Sequence, residues 1–388
     1  MFLNAMSMRS IIWTLRRYSL RHIWYRIRLK KRRQRWRAER QKLSERFKKN
    51  TDIIWRAGPA LIIGHFDDVH GLSRGATYDL EEIKKKHQNF QIWNIADIIR
   101  NKKSHIKNVP KNLNFDVIYF LCQPDNYATI LEHIDPNEIK HSYRIGRWAW
   151  ETTIFPSAWT FACEIVHEVW APSKFCADVF ETQMPGKVSI YPHPITVSPH
   201  VTSNARKLLN ISDSAFVGLC IMDIQSCPER KNPWAHIIAW RNAFRKDNNA
   251  IMILKIRFGK RTSFVLKEIR ELIGGSKNFI IISDDVSSDF ISDLQNSCDV
   301  FLSLHRSEGF GLNILECLML GKKVIATNWS ANSEYGPNFE NYIGIPFNMI
   351  PYQDCMLHYE DHNFSWADPV IQEASSVLLK LRDSTQFN

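Results

Sequence analysis

The run Asp299-Val300-Phe301-Leu302-Ser303-Leu304 is short and apolar, the pattern of a buried strand. It leads into Glu308-Gly309-Phe310-Gly311-Leu312-Asn313-Ile314-Leu315-Glu316, which sets two carboxylates eight residues apart around a Gly-Phe-Gly turn. An apolar helix over 313–320 follows and stops at Gly321, a suitable C-cap. Lys323-Val324-Ile325-Ala326-Thr327 then reads as the next strand. Glycines let the backbone come close to a ligand, and a helix start offers unpaired N–H groups to an anion. A helix beginning near Leu312 puts Glu316 about one turn in, roughly 6 Å along the axis, with Glu308 ahead of the first turn. A diphosphate on the helix start would then meet a carboxylate at each end, and carboxylates accept from sugar and ribose hydroxyls. Two Glu at this spacing alone would mean a surface residue and a helix residue with no shared task. The preceding strand and the glycine turn favour a nucleotide-sugar site.

The same alternation extends in both directions. Strand candidates at 60–64, 90–95, 116–121, 143–147, 166–171 and 188–191 precede a segment, 192–204, rich in Pro, Ser, Thr and Val that reads as a linker. A second series lies at 216–222, 250–256, 279–283, 299–304, 323–327 and 342–346. Helical or loop segments separate the strands, as a parallel sheet requires. Ser173, after Pro172 and before an amphipathic run, is an N-cap candidate. The last helix is expected to start with Asp368 as N-cap and Pro369 at N1, with Val370, Ala374, Val377, Leu378 and Leu381 on its apolar face.

At 388 residues and 44% hydrophobic composition the chain is large enough for two cores. Its eight cysteines form no C-x-x-C pair, and several lie in apolar runs, which predicts a reduced, intracellular protein. No stretch approaches the uncharged apolar length that spans a bilayer. The net charge of +11 is local: residues 1–50 hold 17 Lys+Arg against Glu39 and Glu45, while the remainder holds 34 basic and 38 acidic residues. Residues 9–48 lack Gly and Pro and read as helix, with Trp13, Leu20, Trp24 and Ile27 on one face. Arg16 and Arg17 interrupt any apolar core of a secretory signal, although the Arg-rich, acid-poor start also resembles a transit peptide. A basic, Trp-bearing helix suits an anionic membrane surface. The alternatives are a solvated arm or a native start at Met6 or Met8.

Arg230 and Lys231 follow the strand at 216–222 through a short loop, where a cation can reach a diphosphate; a surface ion pair is the plainer role for Arg230. Lys255 lies within an apolar strand, where burial unpaired is costly, so it should project from the strand end toward the cleft. The loop holding Gly71 after the first strand is a glycine turn that either faces a ligand or simply turns the chain. Trp148, Trp150 and Glu151 combine sugar-stacking faces with a hydroxyl acceptor, against a reading of the Trp residues as core. His305, just before the Glu308 turn, is a donor-site candidate, whereas His167 and His193 read as structural. Asp67-Asp68 and Asp284-Asp285 lack D-x-D spacing.

The Glu308–Glu316 motif resembles the E-G-F-G-x-x-x-x-E signature of glycosyltransferase family 4. Segments that resemble its polysaccharide-forming branch are Gly64-His65-Phe66 with Gly71-Leu72-Ser73, Trp148-Ala149-Trp150-Glu151, Glu168-Val169-Trp170-Ala171-Pro172-Ser173, Glu229-Arg230-Lys231-Asn232-Pro233 and, more weakly, Trp366-Ala367-Asp368-Pro369. The resemblance runs from about residue 58 to the end. It implies an α/β protein of two Rossmann-like domains facing a cleft (the GT-B fold), here preceded by a basic helical arm. The expected division is an arm at 1–50, an acceptor domain at 51–197, a donor domain at 198–367, and a helix at 368–388 packing back on the first domain.

By the same resemblance the protein would be a retaining hexosyltransferase taking a nucleotide-diphosphate sugar. Glu308 would hold sugar hydroxyls and Glu316 the ribose, with Lys231 and Lys255 on the diphosphate and Arg230 in support. Phe310, Gly311, Leu312 and His305 would complete the donor site, and Gly71, Trp148, Trp150 and Glu151 would lie on the acceptor side. The segment Asp223-Ile224-Gln225-Ser226 departs from the family, which often has a further Arg or Lys there for the outer phosphate. No metal and no cofactor are expected, since the family is generally metal-independent. The acceptor would be a glycan or lipid-linked glycan, met on the cytoplasmic membrane face through residues 1–50. Rival readings are a non-catalytic glycosyltransferase-like subunit or a nucleic-acid-binding protein, but no segment from 58 onward resembles a module for specific nucleic acid.

Overall fold

Strands β1 (Ala60–Gly64) and β3 (Val117–Leu121) are buried at every residue. Such runs suit a parallel sheet covered on both faces. With β2 (Phe90–Asn94), β4 (Tyr143–Arg147), β5 (Glu168–Ala171) and β6 (Val188–Ile190) they form a six-stranded sheet of order β2-β1-β3-β4-β5-β6. All its pairings are parallel. A second six-stranded parallel sheet contains β7 (Phe216–Asp223), β8 (Ala250–Arg257), β9 (Phe279–Ile282), β10 (Val300–Ser303), β11 (Lys323–Thr327) and β12 (Tyr342–Ile345) in the order β12-β11-β10-β7-β8-β9. The computed structural model describes residues 20–66, 71–96, 114–197, 205–354, 358–359 and 363–385.

Both sheets reverse their strand order once, between β1 and β3 and between β7 and β10. In open α/β sheets ligands sit outside the carboxyl ends of the strands at such a switch point. The helices used below are α1 (Leu20–Arg46), α2 (Gly71–Lys84), α3 (Lys174–Glu181), α4 (Pro228–Lys231), α5 (Pro233–Phe244), α6 (Ser288–Ser297), α7 (Leu312–Met319) and α8 (Ile371–Thr385). Ser173 caps α3, its Oγ accepting the Cys176 N–H at 3.2 Å. Among the described residues no helix is long and apolar enough to cross a membrane.

Three expectations need correction. The basic arm does not end at residue 50 as a separate body. Phe47 and Leu43 pack into the core of the first sheet. Arg40 pairs with Asp125 at 2.7 Å and donates to the Ala158 carbonyl oxygen at 3.0 Å. Charge marked the arm in the sequence, but its end carries the apolar contacts of a domain helix. Residues 1–19, with Trp13, lie outside the described residues.

The last helix does not cross back onto the first domain. Ala374 and Leu378 of α8 belong to the second domain's core with Trp240, Phe216 and Phe244, and α8 lies along α5. Arg382 secures it to Asp247 at 3.2 Å. The apolar face of α8 is used against its own domain. Asp368 and Pro369 do not start this helix; they end β14 (Ser365–Pro369), antiparallel to β13 (Phe347–Pro351). The crossing is made instead by an aromatic cluster, Tyr359, Phe364 and Trp366, against which Trp150 and Ile154 of the first domain pack.

Candidate active site at the second switch point

The chain leaving β7 turns at Cys227 (φ +127°), enters α4 and breaks again at Asn232 (φ +50°). Asn232 Nδ2 donates to the Leu304 carbonyl oxygen at 3.1 Å, and the Arg306 N–H donates to the Arg230 carbonyl oxygen at 2.8 Å. The loops after β7 and β10 are therefore tied together at the switch point. The result brings Arg230, Lys231 and Glu308 into one cluster.

Lys231 Nζ pairs directly with Glu308 Oε1. Arg230 lies 3.3 Å from Glu308 Oε2 and 3.3 Å from Glu151 Oε1 of the first domain. It also donates to the Ser307 carbonyl oxygen at 2.9 Å and to Ser226 Oγ at 3.1 Å. Burial pushes the Glu308 carboxyl up, but the charges of Lys231 and Arg230 outweigh it and hold the group at about 2. Burial likewise opposes the Arg230 charge, and Glu151, Tyr359 and Glu308 raise that group well above its ordinary value. Glu308 is thus an ionised acceptor at neutral pH. Arg230 is 2% exposed and faces inward, while Lys231 retains 18% exposure of its side chain and Glu308 14%.

The glycine turn meets the first domain almost backbone to backbone. A side chain at Gly309 would place its Cβ 2.9 Å from the Trp150 carbonyl oxygen. The Gly309 carbonyl oxygen accepts from Ser173 Oγ at 2.8 Å and from Cys176 Sγ at 3.2 Å. Gly311 has φ +85° and caps α7, as the sequence required of a glycine there. The Tyr335 hydroxyl donates to the Phe310 carbonyl oxygen at 2.8 Å, and the Phe310 ring stands edge-on to His193 at 5.0 Å. Leu312 opens α7, and a Cβ on Gly71 at the start of α2 would lie 3.9 Å from Leu312 Cδ1. The two helix starts therefore face each other across the cleft.

His305 stands behind the turn. Its Nε2 meets Asn332 Oδ1 at 2.9 Å, and burial lowers the ring to about 4, keeping it neutral. It is 1% exposed, directly before the Glu308 loop. Glu316 is fully enclosed: Arg74 and Tyr78 of the first domain and Gln295 of α6 all donate to it, Tyr78 Oη at 3.2 Å and Gln295 Nε2 at 2.7 Å.

Lys255 stands near the carboxyl end of β8, as expected, but is not drawn into the Glu308 cluster. Its ammonium donates to the Asp284 carbonyl oxygen at 2.9 Å. Burial lowers its pKa, opposed by Asp285 and Asp284. Trp148 has no face to offer a sugar: it is 0% exposed, with its indole N–H on the Tyr127 hydroxyl at 2.9 Å. Trp150 packs on Trp159 and Tyr359 between the domains, its N–H donating to Thr152 Oγ1 at 2.7 Å. Glu151 is engaged by Arg230, so of the acceptor-side candidates Gly71 alone faces the α7 start.

Among the described residues, Cys227, Asp354 and His358 lie close enough to gather one ion. Asp354 and His358 are already engaged with each other, with Tyr352 and with the backbone, and Cys227 Sγ points to Glu229 Oε2 at 3.9 Å. Asp354 Oδ2 takes His358 Nδ1 at 3.1 Å and the Tyr352 hydroxyl at 2.8 Å, and His358 Nε2 meets the Gln225 carbonyl oxygen at 2.9 Å. The trio clasps the β13–β14 connection to the loop that carries Arg230.

Sequence reading missed Arg74, Tyr78 and Gln295. The available signal was a cation in the first turn of the helix after the first glycine loop, Gly71-Leu72-Ser73-Arg74. It also missed the buried group Asp79–Arg147–His193, in which Asp79 takes Arg147 Nε at 2.8 Å and His193 Nδ1 at 3.0 Å behind Phe310.

Residues 246–348 match the family model described as glycosyl transferases group 1. No curated protein matches the chain. Among solved structures it resembles a glycosyltransferase from Rickettsia africae ESF-5, with 14% identity, a TM-score of 0.57, and coverage of 85% of this chain and 92% of that one. Anabaena Alr3699/HepE in complex with UDP and glucose gives 14% identity and a TM-score of 0.51 over 84% of this chain and 98% of that one. WaaG, a glycosyltransferase involved in lipopolysaccharide biosynthesis, gives 14% and 0.52 over 84% and 90%. At these identities the structural likeness concerns the fold. With the family match falling on β8 to β12, the Glu308 turn included, residues 246–348 are a glycosyl transferases group 1 region within a chain of GT-B fold.

Proposed function

We propose that the protein is a retaining hexosyltransferase, moving a sugar from a nucleotide-diphosphate donor to a glycan or lipid-linked glycan in surface polysaccharide biosynthesis. The observation that carries this reading is the Lys231–Glu308–Arg230 cluster at the β7/β10 switch point, beside the start of α7. The complex of Alr3699/HepE with UDP and glucose and the lipopolysaccharide role of WaaG support donor and acceptor class. The α7 start and Lys231 would bind the donor diphosphate and stabilise charge as the sugar–phosphate bond breaks. Glu308, ionised, would fix sugar hydroxyls, and the departing phosphate oxygen would take the acceptor proton on the same face of the sugar. The residues themselves orient the partners and hold charge. Arg230 would act from behind, keeping Glu308 in place. No metal enters this scheme.

The basic N-terminal segment would hold the enzyme on the cytoplasmic membrane face, where lipid-linked acceptors lie; each basic residue near an anionic surface contributes about 1 kcal/mol. The test is a screen of nucleotide-sugars for hydrolysis and transfer with the parent and Glu308→Gln, in excess chelator, with the product anomer read by NMR. Turnover that survives chelator, retains the anomer and disappears in the variant is expected. An inverted product, or dependence on added manganese, would overturn the scheme.

A further inference from the structure

The first domain reaches into the second at one helix start. Arg74, in the first turn of α2, pairs through Nη2 with Glu316 Oε1 and donates from Nη1 to Asn313 Oδ1 at 3.2 Å. Tyr78, one turn further along α2, donates to the same carboxylate oxygen at 3.2 Å, and Gln295 takes the other oxygen at 2.7 Å. Both oxygens of Glu316 are thus filled, and two of the three donors come from the opposite domain. A ribose that used this carboxylate would have to take the place of Arg74 and Tyr78.

The Arg74 guanidinium stands beside a helix start as well as a carboxylate. Asn313 is the second residue of α7, so the guanidinium lies against a helix start whose N–H groups carry partial positive charge. Cation against helix start is unfavourable unless an anion joins them. Glu316 supplies one anion from the inner side. The outer side, toward Gly71, is where a diphosphate on the helix start would lie. The loop that leaves β7, residues 223–226, supplies no cation there. Arg230 is turned inward onto Glu151 and Glu308. Lys231 and Arg74 are cations at the rim of the turn, the Arg74 side chain keeping 19% exposure and that of Lys231 18%.

We infer that Arg74 is a donor-site residue supplied by the first domain: it holds Glu316 in the manner of a ribose, yields it to an incoming nucleotide, and turns its guanidinium to the diphosphate. The inference rests on the nucleotide-sugar reading above. It makes domain approach and donor binding one event, because the same side chain bridges the domains before and after the exchange. It also supplies from α2 the outer phosphate cation that the β7 loop lacks.

The test is a calorimetric titration of the full chain and of Arg74→Met, Arg74→Lys and Tyr78→Phe, with thermal melts to establish folding. The probes are UDP, GDP and ADP, each beside its nucleoside. In Arg74→Met the nucleoside should bind more tightly than in the parent, since a competitor for Glu316 is gone. The preference for diphosphate over nucleoside should fall about 10- to 100-fold, the worth of a charge-assisted contact. Arg74→Lys should restore part of that preference, and Tyr78→Phe should tighten both ligands alike. An unchanged preference in Arg74→Met, beside weakened binding in Glu316→Ala, overturns the Arg74 assignment alone. If the parent binds none of the diphosphates, the donor-site reading fails and this inference falls with it.

Discussion

The hydroxyl of Ser173 donates to the carbonyl oxygen of Gly309 at 2.8 Å while also capping its own helix through the Cys176 N–H. One side chain therefore serves a helix start in the first domain and the glycine turn in the second. Ser173→Ala should lower stability by about 1–2 kcal/mol, the worth of an N-cap plus a buried hydrogen bond. It should also raise the KM for donor, because the turn loses a strut. Denaturant melts and steady-state kinetics read both, and a variant equal to the parent in each would refute the double role.

Glu308→Gln tests charge rather than shape. Removing the carboxylate leaves Lys231 without its partner and Arg230 with Glu151 as its carboxylate. Breaking a buried pair costs about 3–5 kcal/mol, and we expect a loss toward the low end because Lys231 is partly exposed. Turnover should fall at least about 100-fold if the group acts in the transition state. A stable, active variant would show that the cluster is not the site.

Three buried histidines, His167, His236 and His305, are each lowered by burial to about 4. His236 shows why: its Nε2 accepts the Leu304 N–H at 2.9 Å, so the ring must be neutral. Above about pH 6.5 these rings are neutral in both folded and unfolded chains and contribute no slope. As pH falls from there to about 4 the unfolded chain takes up protons and the folded one does not, so stability declines. Glu308 and Asp354, held at about 2, act lower: their contribution is complete above about pH 4.5 and is lost as pH falls toward 2. Urea midpoints at pH 8, 6 and 5 should fall in that order; a flat series would contradict the assignment.

The N-terminal helix requires a cut that respects its packing. Deleting residues 1–33 should leave the melting temperature unchanged and abolish sedimentation with anionic vesicles in low salt. Deleting 1–50 should also destabilise, because it removes Leu43 and the buried Phe47. Phe47→Ala alone should cost about 3–5 kcal/mol. Equal vesicle binding by the parent and the shorter deletion would end the membrane proposal.

Much of this architecture was legible because apolar runs and glycine turns are local signals. The strands of both sheets, the Ser173 cap and the Gly311 start of α7 fell where periodicity and turn chemistry placed them. Partners distant in sequence were not legible. Arg74 and Glu316 are 242 residues apart, and no period encodes their meeting. The cost of burying Lys255 was recognised, but a carbonyl oxygen on the next loop meets it as well as a phosphate would. The amphipathic face of α8 showed that the helix is buried without showing against which sheet. Trp148 and Trp150 illustrate the same limit: an aromatic pair beside an acid has one pattern whether it packs or binds.

The docking of α8 on α5 also bears on the order in which the molecule can assemble. Ala374 and Leu378 complete a core begun by Phe216 and Trp240, so the side of α5 that α8 covers stays open until residues 371–385 have emerged from the ribosome. The first sheet is complete in sequence at β6, long before. Vectorial synthesis thus presents a finished first domain beside a nascent second one with an open apolar face, and a premature stop within α8 would leave that face to chaperones or to aggregation.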